Sequence, residues 1–436
     1  MSKETILLEE YGKDPFIITL SSEDEASNVY NEFIDLSAAW KKKLNLSFAP
    51  FEVVKTECIL YLYAKGITGF IKMNNLHIEV VPKFLIGKEK TSDWRVALTR
   101  ALILLNQEKF FDNKFTSSKQ SEAFLPDLMA ETFLFSLEQG INIGLPRSYK
   151  ETRERIPYYR GSYDSTQFIN HLLKPHLIPC KYDEYTTENI INQILKSAAI
   201  ELSKTVYSSK LAIRLSDLGN SIDASYQIPS IVQIENTFLP PQYSYLSGAL
   251  DLSKLILQNK SLEHNTGELE LRGFLWDSAK IFENLVKLII RTYCLRSKKY
   301  QYSDKPITLM QLASREVPTR AINKIDTSPD IRILQKECTK FLLDAKYKIW
   351  SRQPKNNDVY QVMAGSRVTH CKLASLVYPL PQNGNEDTLI YNIEGDGFPK
   401  VVSVIFVDIT KLALANGLNT LVKKFSDDLD TLHFCG

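Results

Sequence analysis

Residues 328–350 read SPDIRILQKECTKFLLDAKYKIW, and after a polar loop residues 358–361 read DVYQ. The first part is an apolar-alternating strand opened by Pro329-Asp330, a short polar turn, and a second strand ending in Asp344-Ala345-Lys346. In FLLDAKYKIW the strand period places Leu342, Asp344, Lys346 and Lys348 on one face and Phe341, Leu343, Ala345 and Tyr347 on the other. Pro329 stands at a first-strand position, where its missing N–H does little harm. The turn returns the chain antiparallel and carries Asp330 toward Asp344. Two carboxylates and a lysine in this pattern suit metal-assisted phosphodiester hydrolysis. Mg²⁺ is typically held by one or two carboxylates, with water and substrate phosphate completing its shell. A lysine beside the attacking water can orient it or steady the phosphoryl charge. Asp330 and Asp344 are the expected ligands and Lys346 the expected catalytic cation.

Two residues outside this hairpin extend the set. In WDSAKIFENLVKLIIRTY the apolar stripe is Phe282, Leu285, Val286 and Ile289, and Glu283 lies at its margin, about 100° round from Phe282. A carboxylate there can reach a sheet edge. Gln361 sits one turn into a helix expected to be capped by Asn357 or Asp358, where its amide can position Lys346 or a water.

The surrounding 436-residue chain is 44% hydrophobic and 24% charged with formal net charge +2, so any contact with an anionic polymer has to come from local patches. Its six cysteines are scattered without a CxxC pair, which argues against a zinc site or disulfide framework and for a reducing compartment. The histidines have no metal-ligand spacing, and no Ser-His-Asp or Cys-His context is present. MSKETILLEEYGKD lacks the basic flank and apolar run of a signal peptide, and VVSVIFV (401–407) is too short to span a bilayer. A cytoplasmic protein with no membrane partner is expected.

Along the chain, residues 1–90 are β-rich, with one helix at 26–44, an Asn74-Asn75 turn and a strand stopped by Pro82. Residues 91–240 are mostly helical. One helix, FLPDLMAETFLFSLEQGI, is expected to close at Gly140, and another, TTENIINQILKSAAIELSK, to be capped by Thr186 or Thr187. Between them a polar, aromatic-rich stretch (149–185) suits an extended arm or hairpin. The Pro-rich break at 237–246 sets a boundary near residue 240. Residues 241–436 then form an α/β domain, opening on two helices joined by a polar linker and ending in a short amphipathic helix. The expected class is mixed α/β (α+β). Basic residues Lys348, Arg352 and Lys355, with the run ending in Lys298 and Lys299, are candidates for a phosphate-tracking groove.

PDI…LLDAKYK…DVYQ resembles the PD-(D/E)xK nuclease motif in the form carried by McrC-like proteins, the nuclease subunits of McrBC-type restriction systems. LWDSAKIFENLV, YSYLSGALDLSKLIL, the YYRGSYDSTQFI…CKYDEYTTENIINQILKSA sequence and GITGFIKMNNLHIEVVPKF are similar to further elements of that family, in order from about Lys65 to Pro379. Extra residues before Glu52 and a tail of strands after Pro379 depart from a compact member. The resemblance implies a C-terminal restriction-endonuclease-like domain (241–436) with a central mixed sheet flanked by helices. It also implies a partner-docking region (1–240), Mg²⁺ with Mn²⁺ as a substitute, and catalytic roles for Asp330, Asp344, Lys346, Glu283 and Gln361. The implied partners are an McrB-like AAA+ GTPase or ATPase motor and modified double-stranded DNA, in a restriction system defending against phage. The chain has no GxxxxGK[ST] loop and so is not itself the motor. Arg160, in the polar arm, is the expected group for stimulating the motor's nucleotide hydrolysis. The alternative is a non-catalytic adaptor that regulates the motor and keeps the nuclease fold for structure.

Overall fold

The computed structural model describes residues 4–73, 76–85, 93–106, 124–258, 271–311, 324–327, 329–381, 384, 387–395 and 397–435. The Asn74-Asn75 turn, Ser328 and most of the linker after Gln258 lie outside them. The chain is mixed α/β and divides into two compact units: residues 1–105, 114–125 and 262–436 form one, and residues 106–113 and 126–261 the other. A boundary at residue 240 therefore does not describe the packing. The β-rich N-terminus belongs with the C-terminal α/β part because strand Leu271–Asp277 pairs antiparallel with Ile67–Met73.

In the first unit that pairing completes a four-stranded sheet in the order Glu4–Glu9, Leu76–Val81, Ile67–Met73, Leu271–Asp277. A three-stranded antiparallel sheet (Phe16–Thr19, Ile59–Ala64, Phe51–Thr56) packs with it under helix Glu23–Leu44. That helix starts three residues before the periodic run because the Ser22 side chain accepts from the Glu25 N–H, with acidic residues in the first turn and lysines in the last. Phe33, Leu36 and Trp40 bury its inner face. Ser37, also on that face, donates to the Phe51 carbonyl at 2.9 Å and accepts from the Phe51 N–H at 3.1 Å. Ser37→Ala leaves both groups unpaired in a dry site, and a loss of about 1–3 kcal/mol in denaturant unfolding is the expected outcome.

The C-terminal part is a six-stranded mixed sheet in the order Gln301–Ser303, Ile331–Gln335, Cys338–Ala345, Leu373–Pro379, Val401–Val407, Leu389–Asn392. Cys338–Ala345, Leu373–Pro379 and Val401–Val407 run parallel, and the other pairings are antiparallel. The last two parallel strands are buried along their whole length, as expected for strands covered on both faces. Helix Asn356–Thr369 is the crossover after Cys338–Ala345, and its Val362 packs into the cluster of Leu342, Leu376 and Val404. Gly365 permits the close approach, since a Cβ there would meet Leu342 Cδ1 at 3.0 Å. Helices Ser278–Ser297 and Gly417–Cys435 pack on each other through Tyr293 and Phe425. A separate antiparallel pair, Ile307–Gln311 with Lys324–Thr327, was not resolved by sequence pattern.

The second unit holds helices Leu125–Ile143, Ile190–Ser203, Ser209–Ser221 and Ser247–Gln258. Two cap expectations are corrected. Leu125–Ile143 runs through Gly140, whose missing side chain leaves room for Leu246, and stops before Gly144 at φ +141°. Ile190–Ser203 is capped by Asn189, not by Thr186 or Thr187. The stretch between these helices is an arm: Ser148–Ile156 pairs antiparallel with Ile178–Thr186, and Ser162–Tyr163 adds beside it. A short helix, Phe168–Leu173, interrupts the arm and leaves Phe168, Ile169, Leu172 and Leu173 exposed.

Candidate active site

The hairpin builds the centre. Its two-residue turn, Lys336-Glu337, takes positive φ at both positions (48° and 66°), matching a turn whose twist suits paired strands. Ile331 pairs with Leu343, so Asp330, just outside the strand, lies beside the end of its neighbour. There its Oδ2 accepts from the Ala345 N–H at 2.7 Å.

The strand ends at Ala345, so the expected strand face holds for Leu342 and Asp344 while Lys346 and Lys348 lie beyond its end, where they still meet helix Asn356–Thr369. Asp344 is 1% exposed, and one of its oxygens is ion-paired with Lys346 Nζ. Lys346 Nζ also donates to Gln361 Oε1 at 2.8 Å, and Gln361 Nε2 reaches back to Asp344 Oδ1 at 3.4 Å. Asp344, Lys346 and Gln361 thus close a ring of contacts. Lys348 Nζ donates to Asp358 Oδ1 at 2.6 Å, and the Tyr378 hydroxyl donates to Asp358 Oδ2 at 3.1 Å. Asp358 therefore faces inward and does not cap the helix, whose N-cap position is Lys355 with no side-chain cap bond. Neither Asn357 nor Asp358 takes that role.

Burial is the main cause that raises the Asp330 carboxyl from its ordinary 3.8 to about 7, with the charges of Asp344 and Glu283 pushing the same way. The Ala345 N–H and Lys287 oppose them. Burial also raises Asp344, against the pull of Lys346. Asp344 pushes Asp330 up by its charge, whereas a side-chain hydrogen bond from Asp330 lowers Asp344, so the fold holds two close, buried carboxyls, an arrangement found where charge is to be neutralised by something else.

Helix Ser278–Ser297 begins at an Asp277 cap whose side chain accepts from the Ala279 and Lys280 N–H groups. Glu283 on this helix accepts from Lys287 Nζ at 2.5 Å. It acts on Asp330 through charge. Among the described residues no three His, Cys, Asp or Glu side chains converge into a metal-ligand set, so Glu283 does not join Asp330 and Asp344 in a closed cluster. Lys287 is pushed down by burial, but Glu283, Asp330 and Asp304 together raise it. Lys287 was not expected as a partner of Glu283, although the Glu-x-x-x-Lys spacing is a signal for such a pair; the electrostatic link to Asp330 has no signal in the sequence.

The basic candidates separate. Arg352 and Lys355 are exposed on the loop entering helix Asn356–Thr369, whereas Lys348 is spent on Asp358. Lys298 and Lys299 are exposed at the far end of Ser278–Ser297, about 22 Å along the helix from Glu283 at 1.5 Å per residue. They do not line the same spot as the hairpin carboxylates. In the arm, the Arg160 guanidinium stacks over the Tyr182 ring at 3.9 Å, which gives it a fixed orientation on an exposed sheet.

Residues 62–379 match the family described as McrBC 5-methylcytosine restriction system component. A chain of the Thermococcus gammatolerans assembly of McrB AAA+ hexamers with bound McrC is similar in fold, with 16% identity and a TM-score of 0.67. The match covers 97% of this chain and 100% of that one. A chain of the Thermococcus gammatolerans McrBC complex matches over 66% of this chain and 88% of its own, with 17% identity and a TM-score of 0.48. No curated protein matches the sequence. With a match over most of its length, this chain belongs to the McrBC 5-methylcytosine restriction system component family, as the McrC-like member its motifs resemble.

Proposed function

We propose that the chain is the Mg²⁺-dependent endonuclease subunit of an McrBC-type restriction complex and cuts modified double-stranded DNA with an McrB-like AAA+ partner. The observation that carries this is the ring of Asp344, Lys346 and Gln361 beside Asp330. Two facing carboxylates of raised pKa form an all-oxygen donor set that fits a hard divalent cation, and Asp330 and Asp344 are the residues to hold it. Bound there, Mg²⁺, or Mn²⁺ in its place, supplies an activated water and neutralises charge on the phosphoryl and leaving oxygens.

The chain's own residues do the rest. Gln361 fixes the Lys346 side chain by accepting one of its three N–H bonds, which leaves the ammonium two donors for Asp344 and a phosphoryl oxygen or water. Glu283 and Lys287 set the field at Asp330 from the neighbouring helix. Arg352 and Lys355 are placed to follow the DNA backbone near the centre, with Lys298 and Lys299 contacting it at a separate point.

Lys346→Ala tests this. With the partner and nucleotide present, the expected result is a fall of about 10²-fold in the cleavage rate, as for loss of one transition-state donor, with DNA binding retained. A folded Lys346→Ala protein cutting at the wild-type rate would leave the non-catalytic adaptor reading in its place.

Docking to the motor is assigned to the arm. Phe168, Ile169, Leu172 and Leu173 are exposed together on one short helix, as apolar side chains grouped at an interaction site are, and the similar solved assembly contains McrB AAA+ hexamers with bound McrC. The oriented Arg160 is then the group offered to the motor's nucleotide site, and Arg160→Ala is expected to lower stimulated nucleotide hydrolysis while leaving complex formation intact. Leu172→Asp with Leu173→Asp is expected to abolish co-elution with the motor and leave the melting temperature within 1–2 °C, roughly the change for exposed sites.

A further inference from the structure

Next to the hairpin, a second polar cluster joins three segments distant in sequence. Glu10 follows strand Glu4–Glu9 and is 2% exposed. Its Oε2 accepts from the Tyr347 hydroxyl and from the Lys83 N–H at 3.0 Å. Lys83 Nζ in turn donates to the Tyr347 carbonyl at 3.1 Å and lies 3.7 Å from the centre of the Tyr347 ring. Tyr347 is the residue after Lys346. The ladder reaches Lys346, whose N–H donates to the Val377 carbonyl at 2.8 Å. The chain then turns about Tyr347, with the Lys348 N–H donating to the Lys346 carbonyl at 2.9 Å. The peptide groups on both sides of Tyr347 are thus held, and so is its side chain.

The same ring packs against Phe282 at 5.9 Å and Phe84 at 5.6 Å between centroids. Phe282 precedes Glu283 on its helix, and Ser278 at the start of that helix faces both the Glu10 carboxyl and the Tyr347 hydroxyl. One residue therefore touches the N-terminal sheet, the helix carrying Glu283 and the turn carrying Lys346. Burial pushes the Glu10 carboxyl up to about 7, and its Oε1 has no hydrogen-bond partner, so the group weakens the fold where it stands. What it secures is the placement of Tyr347.

We propose that Glu10 is a positioning residue for the nuclease centre, acting through the Tyr347 hydroxyl to fix the turn that presents Lys346 and to hold that turn against the helix of Glu283. This rests on the nuclease reading above. Catalytic side chains have to be held within a fraction of an ångström, and loss of a supporting hydrogen bond loosens them without removing them.

The test is cleavage by the complex reconstituted with its AAA+ partner, with Mg²⁺ and nucleotide saturating. Tyr347→Phe removes only the hydroxyl, and Glu10→Leu asks the same question from the other side. Both are expected to lower kcat about tenfold with KM for DNA and stimulation of the motor's hydrolysis unchanged. Glu10→Gln keeps an oxygen acceptor and is expected to lose less than Glu10→Leu. Wild-type kcat in a folded Tyr347→Phe protein overturns the proposal, as does a parallel fall of cleavage, DNA binding and motor stimulation, which marks a general structural prop. Asp344→Asn run alongside separates the two levels: cleavage surviving there removes the nuclease reading, whereas cleavage lost there but intact in Tyr347→Phe removes the positioning role alone.

Discussion

Asp344→Asn is expected to abolish Mg²⁺-dependent cleavage, by at least about 10³-fold or roughly 4 kcal/mol of transition-state stabilisation, while the metal-free protein at pH 7 melts no lower than wild type. The two halves of this expectation have one cause. Burial disfavours the charged form of Asp344 and Lys346 offsets it only in part, so the carboxyl is raised in the fold. A group of this sign contributes stability when protonated and takes it away when ionised. The neutral amide has nearly the same shape and removes a buried charge, while Gln361 still has an oxygen to meet. Lys346 loses its ion pair, but its side chain is 14% exposed and keeps Gln361. For the proposed metal-ligand role the same charge is required, because a neutral amide is a poor ligand for a hard cation. Thermal melts with and without Mg²⁺ provide the check: wild type should gain stability on adding the ion, and the variant should gain almost none. Undiminished cleavage by Asp344→Asn, or an unchanged Mg²⁺-induced shift, would remove Asp344 from the metal site.

The parts of this centre that sequence revealed are those governed by short-range periodicity. A period of two puts Leu342 and Asp344 on one face whatever the rest of the chain does, with Lys346 just beyond the strand's end, and a short turn limits where Asp330 can fall. Gln361 is reached because a helix after the second strand has to cross over its face to start the parallel strand Leu373–Pro379. Periodicity was silent wherever pairing is long-range. Lys83 and Tyr347 are 264 positions apart, and nothing in EVVPKF or DAKYK says that the two touch. The same holds for Leu271–Asp277, which closes the N-terminal sheet from the far half of the chain and so moves the domain division away from residue 240. Local competition explains the smaller misses. At 186–189 three residues able to cap, Thr186, Thr187 and Asn189, stand within four positions, and the choice fell to Asn189, whose side chain accepts from the Asn192 N–H while Asn192 spans to the Pro146 carbonyl. Asp358 looked like a cap because of its type and place; its partners Lys348 and Tyr378 come from two different strand ends.

Asp330 sets the second large effect, a dependence on pH with a definite sign. Its carboxyl rises from the ordinary 3.8 to about 7, first through burial and then through Asp344 and Glu283. For an acid raised in the fold, the stabilising contribution is fully present below the unfolded value and is lost as pH climbs through the folded one. Metal-free wild type should therefore lose stability relative to Asp330→Asn between about pH 4 and pH 7. The shift caps this difference at about 4 kcal/mol, and solvent at the half-buried carboxyl screens part of it. Denaturant unfolding of both proteins in chelator across that range measures the difference directly. Mg²⁺ reverses the sign, because a ligand carboxylate has to be ionised and binding displaces its proton. Titration calorimetry at pH 6 in two buffers of different ionisation enthalpy should detect proton release approaching one per ion bound, falling toward zero above pH 8, with Mg²⁺ affinity rising over the same interval. Cleavage at subsaturating Mg²⁺ should climb with pH and level off once Asp330 is ionised. Binding that releases no protons at pH 6, together with a wild-type stability curve parallel to that of Asp330→Asn, would mean that Asp330 is already charged in the fold and that the Ala345 N–H alone decides its state.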